Sequence, residues 1–438
     1  MAQDEDDAKA VPTGRIRRFA KVAKMAGGMA GGMLAEGGRQ WRAGNRPSAK
    51  ELLLTPANAK RVTEQLADMR GAAMKMGQML SMDTGDLLPR ELTEILAKLR
   101  SGGRGMPVAQ LRESMTEAYG EDWESLFYGF DFKPIAAASI GQVHRCYSPD
   151  GREIVLKIQY PGVAESIDSD VDNIAMILRL SRLLPADLDI KPLLEDAKDQ
   201  LREEADYLME AKHLEKFGAA LLDDDRFVLP TLLPELTTRT VLAMTYERGS
   251  PIEEVEELPN EERNRVMANL IELMLTELFD LKMVQTDPNF ANYQYRHKTG
   301  QILLLDFGAT RHFKTAFVNN YKMLLAASMA GDEDKLVTAA ERLGYSMGEP
   351  DSPYRALVLD LFQLALEPLC VDAVYDFATT DIPARMSQLA DSVKDYSEFW
   401  QAPPIEAVYF HRKLGGMFML ASRLKTQINV HQLVRHLI

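Results

Sequence analysis

The spacing of apolar positions changes several times along the chain, and each change marks a structural boundary. Between residues 58 and 82, Val62, Leu66, Met69, Ala73, Met76 and Leu80 recur every three or four positions, which is the period of one helical face. A second helical stretch is predicted from 106 to about 130. Pro134 follows it, and the pattern becomes that of two strands, 136–147 and 154–160, joined through Pro149-Asp150-Gly151. Residues 165–218 return to a helical pattern with interruptions near Leu184-Pro185 and Lys191-Pro192. A strand over 240–245 comes next, then Tyr246-Glu247-Arg248-Gly249 as a linker. From 261 onward helices dominate, apart from a hairpin over 292–305. Strands first and helices afterwards, without internal repeats, predict a bilobal α+β fold.

With 438 residues, the chain is long enough for two or three domains, or for one bilobal unit with extensions. Cys146 and Cys370 match neither a metal-binding spacing nor a disulfide framework, which points to a reducing compartment. A net charge of -14 argues against nucleic acid as a general partner. The first part of the chain runs the other way. Arg15, Arg17, Arg18, Lys21 and Lys24 on one side, and Arg39, Arg42, Arg46 and Lys50 on the other, bracket the small and apolar segment 26–35. That segment falls short of the roughly 20 apolar residues needed to span a bilayer. Its Gly27/Gly31 and Gly28/Gly32 pairs permit close helix approach, so two readings stay open: a helix lying on a membrane surface, or a flexible glycine-rich tail. The acidic start, Asp4 to Asp7, is unlike a signal or transit peptide, and no segment reads as transmembrane.

The chemistry is concentrated in 285–292, Gln-Thr-Asp-Pro-Asn-Phe-Ala-Asn, and in Asp306-Phe307-Gly308 at the end of an apolar strand. Asp287, Asn292 five residues on, and Asp306 form the layout that kinases use to hold metal-bound ATP. Two carboxylates and an amide are hard oxygen donors suited to Mg2+. In this reading Asp287 orients or deprotonates the nucleophile, Asn292 binds metal, and Asp306 bridges metal to phosphates, with ATP in the cleft between lobes.

Further candidates lie upstream. Lys157 alternates with Leu156 and Ile158 in a strand, where it reads either as an ordinary strand lysine or as a cation that reaches the nucleotide phosphates. Before it, 134–144 occupies the place of a glycine-rich phosphate loop but is alanine-rich, with Ala136, Ala137, Ala138, Ser139, Gly141 and Val143 as nucleotide-facing candidates. Their Cβ atoms restrict the positive φ values that glycine allows, so altered nucleotide handling is expected, with a plain edge strand as the alternative. Met244 and Glu247, at the end of the later strand and in the linker, complete the set. In 203–210, taken as one helix, Asp206 and Glu210 share a face while Glu204 points away, so these acids serve different partners or form a solvated face. On the first helix Lys75 and Gln78 sit beside Gly71 and Ala72, which permit close approach of another element.

Taken together, Lys-x-Gly-Gln at 75–78, the Ala-Ala-Ala-Ser-Ile-Gly-Gln-Val-His loop, Glu-x-Asp at 204–206, Thr-Asp-Pro-Asn-x-x-Asn and Asp-Phe-Gly occur in one order. In this the chain resembles the UbiB/AarF atypical kinase-like family, most closely its coenzyme Q (ubiquinone) biosynthesis branch, from about residue 14 to the C terminus. The resemblance implies a protein-kinase-like fold with an added N-terminal helical extension over the site where a peptide substrate would lie. It also implies that Lys75 and Gln78 belong to that extension, that Glu204 and Asp206 meet it, and that Lys157 pairs with Glu210 to align the nucleotide. The corresponding division is a basic, membrane-associating tail (1–50), the extension (51–105), a nucleotide-binding N-lobe (106–245) and a helical C-lobe (246–438).

Several features depart from ordinary protein kinases. Gln285-Thr286 replaces His-Arg, Asn289 stands where a lysine is expected two residues beyond the catalytic Asp, and no Ala-Pro-Glu follows Asp-Phe-Gly. Phosphorylation of proteins in trans is therefore the least favoured activity. The leading expectation is a Mg2+-dependent ATPase or small-molecule kinase supporting ubiquinone biosynthesis. The alternative is a nucleotide-binding scaffold for a quinone-biosynthesis complex. ATP and Mg2+ are the cofactors. Membrane lipids, quinone-like intermediates, quinone-biosynthesis proteins and a second copy of the chain are the candidate partners. The expected location is cytoplasmic and peripheral to the inner membrane, bacterial rather than mitochondrial.

Overall fold

The computed structural model describes residues 106–180, 191–393, 396, 401 and 403–438, together with Ala72, a buried helical residue. The basic tail, and Lys75 and Gln78 of the predicted first helix, lie outside the described residues. The described chain divides into two compact units. One runs up to Lys212 and includes Thr231–Tyr246; the other comprises His213–Pro230 and Glu247–Ile438.

In the first unit, α1 (Val108–Tyr119) precedes a four-stranded antiparallel sheet in the order β1 (Ala136–Ala137), β2 (Gly141–Tyr147), β3 (Glu153–Gln159), β5 (Val241–Thr245). Ile154, Leu156 and Ile158 on one face of β3 join Leu111, Met115, Trp123 and Val241 in a core. The alternation seen in the sequence thus puts Ile154, Leu156 and Ile158 on the core side and Lys157 on the opposite face, which is buried as well. Three helices follow β3: α2 (Val163–Leu180), α3 (Lys191–Glu204) and α4 (Tyr207–Ala220), the last shared with the second unit beyond Lys212.

The second unit contains a sheet in which β4 (Phe227–Val228) lies parallel to β9 (Gln301–Leu304), while β9, β8 (Tyr293–Arg296) and β6 (Ser250–Pro251) pair antiparallel. Helix α5 (Asn260–Thr276) buries Val266, Met267, Leu270 and Met274 and widens into a π turn, Glu277–Leu281. Next comes β7 (Met283–Gln285), then the predicted hairpin, β8 (Tyr293–Arg296) and β9 (Gln301–Leu304). β10 (Thr310–His312) returns to pair with β7. Helices α6 (Thr315–Ala330), α7 (Glu333–Leu343), α8 (Pro353–Ala365), α9 (Glu367–Cys370), α10 (Ile382–Val393), α11 (Ile405–Arg423) and α12 (Val430–Arg435) complete it, with a short ribbon of β11 (Tyr375–Asp376) and β12 (Gln427–Ile428).

Three sequence expectations need correction. The helix from 106 ends at Tyr119, because Gly120 adopts φ 88, and a single 3-10 turn at Trp123–Leu126 follows. The interruptions expected near Leu184-Pro185 and Lys191-Pro192 fall at or beside 181–190, which lie outside the described residues, and α3 is described from Lys191. Residues 203–210 form the end of one helix and the start of the next. Beyond 261 the β7–β10 and β11–β12 ribbons join the hairpin, their strands of two or three residues being too short to carry a period.

Gly141 opens β2 at a point of close approach: a Cβ there would stand 2.4 Å from the carbonyl oxygen of Ile158 and 2.9 Å from the Tyr207 hydroxyl. Gly141→Ala is expected to destabilise the protein by about 1–3 kcal/mol in urea unfolding, the usual cost of overpacking. Gly218→Ala, in α4 with nothing within 4 Å of the new atom, should instead be neutral or stabilising by up to about 1 kcal/mol.

Candidate functional site

Lys157 is buried on β3, and its ammonium donates to both carboxylate oxygens of Glu210, at 2.7 and 2.9 Å. The ring of Tyr207 lies 5.2 Å from Nζ. The break between α3 and α4 creates this pair. Asp206 accepts from the Met209 amide at 2.9 Å through Oδ1, and its carbonyl accepts from the Glu210 amide at 3.0 Å, so α4 starts at Tyr207. Glu210 then falls in the first turn, where the positive end of the helix dipole favours a carboxylate. Gln159 locks the break against the sheet by donating from Nε2 to the Ala205 carbonyl at 2.7 Å.

The alanine-rich loop forms a tight hairpin. Ala136 and Ala137 are exposed in β1, and the Ala138 amide bonds the Gly141 carbonyl at 2.9 Å. Ser139 Oγ donates to Glu204 Oε2, tethering the tip to the end of α3. Val143 is the cross-strand partner of Lys157, and Met244, buried in β5, is that of Val155. The exposed cap Asp206 and the half-buried Glu204 therefore have different partners within this unit.

Within the second unit, Thr286 anchors the loop after β7 by bonding the Ala309 carbonyl through its amide (3.0 Å) and its hydroxyl (2.8 Å). Asn289 Oδ1 accepts from the Ala291 amide at 3.1 Å and caps a 3-10 turn at Phe290–Asn292. This turn brings buried Asn292 back to Asp287: its Nδ2 lies 3.3 Å from Asp287 Oδ2 and 3.4 Å from the Asp287 carbonyl. The Leu305 amide bonds the Asn292 carbonyl at 3.0 Å, so the hairpin ties the start of the Asp-Phe-Gly turn to the loop. Asp306 is half-buried and its Oδ1 accepts from the Gly308 amide at 2.9 Å, while Phe307 packs on Phe217 at 4.9 Å. Glu247 pairs with Arg296.

A further buried cluster escaped the sequence reading. Lys413 of α11 donates to the Tyr293 hydroxyl at 2.5 Å and lies 3.8 Å from Glu277 Oε2. Burial pushes the Glu277 carboxyl up to about 7, with Lys413 opposing the shift. A single charged residue inside an apolar helical run, as in Met274-Leu275-Thr276-Glu277-Leu278-Phe279, was the available signal.

Among the described residues no group of three His, Cys, Asp or Glu side chains is placed to hold a metal. Asn292, with Asp287 beside it, and Asp306 each offer a side-chain oxygen, as a hard cation requires when phosphates and water supply its remaining ligands. The fold is α+β and protein-kinase-like. The sequence profile of the ABC1 atypical kinase-like domain matches residues 98–340. The chain is 36% identical to "Atypical kinase COQ8, mitochondrial" of Saccharomyces cerevisiae, over 99% of this chain and 87% of the relative. It is 35% identical to "Atypical kinase COQ8B, mitochondrial" of Rattus norvegicus, over 97% of this chain and 80% of that one. The solved Rv3197–erythromycin complex from Mycobacterium tuberculosis shares the fold, with a TM-score of 0.60 at 22% identity over 82% of this chain and 90% of that one. The chain belongs to the ABC1 (UbiB/AarF) atypical kinase-like family, in its coenzyme Q branch.

Two predictions follow from burial. Glu210→Gln removes a charged carboxylate from the buried Lys157 ammonium and should cost about 3–5 kcal/mol in urea unfolding, whereas the double variant Lys157→Met/Glu210→Leu should recover most of that loss. Glu277, raised from 4.5 to about 7, favours folding below its unfolded value and loses that contribution as pH rises through 7. The stability difference between parent and Glu277→Gln should therefore move against the parent as pH rises from 4 to 8.

Proposed function

We propose that this chain is a Mg2+-dependent ATPase or small-molecule kinase that supports ubiquinone biosynthesis at a membrane surface. The observation that carries the reading is the Asp287–Asn292 contact, joined through the hairpin to Asp306. The amide nitrogen of Asn292 is turned to Asp287, which leaves its Oδ1 as a cation ligand, with the Asp306 carboxylate as the second. When bound, Mg2+ would neutralise phosphate charge and orient the phosphoryl group. Asp287 orients the attacking hydroxyl or water and accepts its proton. In the first unit, Glu210 fixes the Lys157 ammonium as a point charge for phosphate oxygens.

Membership of the coenzyme Q branch supports a role in ubiquinone biosynthesis. The basic residues between 15 and 50 support attraction to anionic lipid, each contributing about 1 kcal/mol near such a surface. Among the described residues no helix is long and apolar enough to cross a membrane. Quinone-like intermediates within the lipid, and the enzymes that process them, are the proposed partners.

The test is ATP hydrolysis by the purified chain with Mg2+, with and without vesicles of anionic lipid, beside Asp306→Asn. Turnover that rises with vesicles and falls by about 100-fold or more in the variant is expected, as for loss of one centre of charge stabilisation. Nucleotide binding without turnover in either protein would refute the enzymatic reading and favour a nucleotide-responsive scaffold.

A further inference from the structure

Asn289 occupies the place of the catalytic-loop lysine, and its side chain is spent on capping the turn that follows. Asp287 is the one charged residue in 286–292, so the loop supplies no cation of its own. A cation arrives instead from α11, more than a hundred residues later. The Lys413 side chain is 2% exposed. Its Nζ donates to Tyr293 Oη at 2.5 Å and stands 3.8 Å from Glu277 Oε2. Glu277 Oε2 in turn accepts the Gln285 amide at 3.3 Å. Gln285 is the last residue of the strand entering the loop, and Tyr293 is the first of the strand leaving it.

The same helix touches the loop at a second point. A Cβ on Gly416 would fall 2.3 Å from Pro288 Cβ and 3.1 Å from Pro288 Cα, so only glycine lets α11 approach so closely. Residues 413 and 416 lie three apart, on one face of the helix. Burial works against the Lys413 ammonium, but Glu277, Tyr293 and then Asp287 outweigh it and hold its pKa above the ordinary lysine value, so the charge persists.

We propose that Lys413 is a positioning residue for the loop bearing Asp287 and Asn292: it holds the end of the entering strand by way of Glu277, whose carboxylate in the π turn accepts from Gln285, and the start of the leaving strand by way of Tyr293, with Gly416 seated on Pro288. It supplies from a helix the positive charge that Asn289 does not. The assignment rests on the reading of 285–292 as the catalytic loop, and it makes a structural claim that is measurable without turnover.

The experiment compares the full chain with Lys413→Met, which keeps length and removes charge, and with Tyr293→Phe, which removes only the hydroxyl that accepts from Lys413. Amide hydrogen exchange over 285–296, MgATP affinity, kcat and KM are read for each. In Lys413→Met, exchange over 285–296 should speed up by about 10-fold or more while α6 and α7 stay unchanged. kcat should fall by about 10- to 100-fold with MgATP affinity held within about 3-fold, and Tyr293→Phe should show a smaller change of the same kind. Unchanged loop exchange and kcat in Lys413→Met would overturn the assignment, and so would faster exchange spread evenly over the second unit. A parent without turnover would remove the enzymatic reading of the preceding section, while loop exchange would still decide the role of Lys413.

Discussion

A buried ammonium must be met by a carboxylate, and each unit of this protein is arranged around one such requirement. Isolated in a low-dielectric interior, a lysine costs several kcal/mol, and Lys157 and Lys413 are both nearly inaccessible to water. Each is answered from a helical turn: Glu210 from the first turn of α4, and Glu277 from the π turn that extends α5. Meeting the first requirement forces the chain to stop at Glu204, cap with Asp206 and restart at Tyr207, since an unbroken helix would carry Glu210 off on another path. Meeting the second requires the helix to widen at Glu277, and widened turns of this kind recur at functional sites. Such pairs contribute little net stability, so what they give the fold is a defined geometry. A sheet lysine and the loop of residues 286–292 are each fixed by the cost of misplacing them.

Legibility in the sequence follows the range of the interaction. Alternation over 153–159 placed Lys157 correctly because a strand's period is a local property. The five-residue interval between Asp287 and Asn292 was legible because one short turn, capped by Asn289, closes it. The break at Ala205–Asp206 was hidden for a physical reason. An acidic stretch satisfies a helical period well, and an Asp that leaves the helix to bond its own backbone does not disturb that period. The Ser139–Glu204 tether and the Lys413–Tyr293 bond join residues 65 and 120 positions apart, distances across which no periodicity carries information. Composition still left a trace, because an ionisable residue in an apolar helix must have a partner somewhere.

Where the loop's cation is carried changes what the loop can do. A lysine within the loop would be held by a flexible stem on a turn, with its rotamers and the backbone both to be ordered. On α11 the backbone is already fixed, and the charge lies beneath the loop instead of on it. At 2% exposure the Lys413 side chain is screened from solvent and from any molecule above the loop. Its action on Asp287 is confined to its field and to the two strands that it ties. Asp287 is thus the only charged side chain that 286–292 can offer to a substrate. A loop with one acid and no exposed base is suited to accepting a proton from water or a small hydroxyl. Among the residues of 286–292 none offers the cation with which a loop lysine would engage a phosphate, so such a charge has to come from elsewhere in the chain.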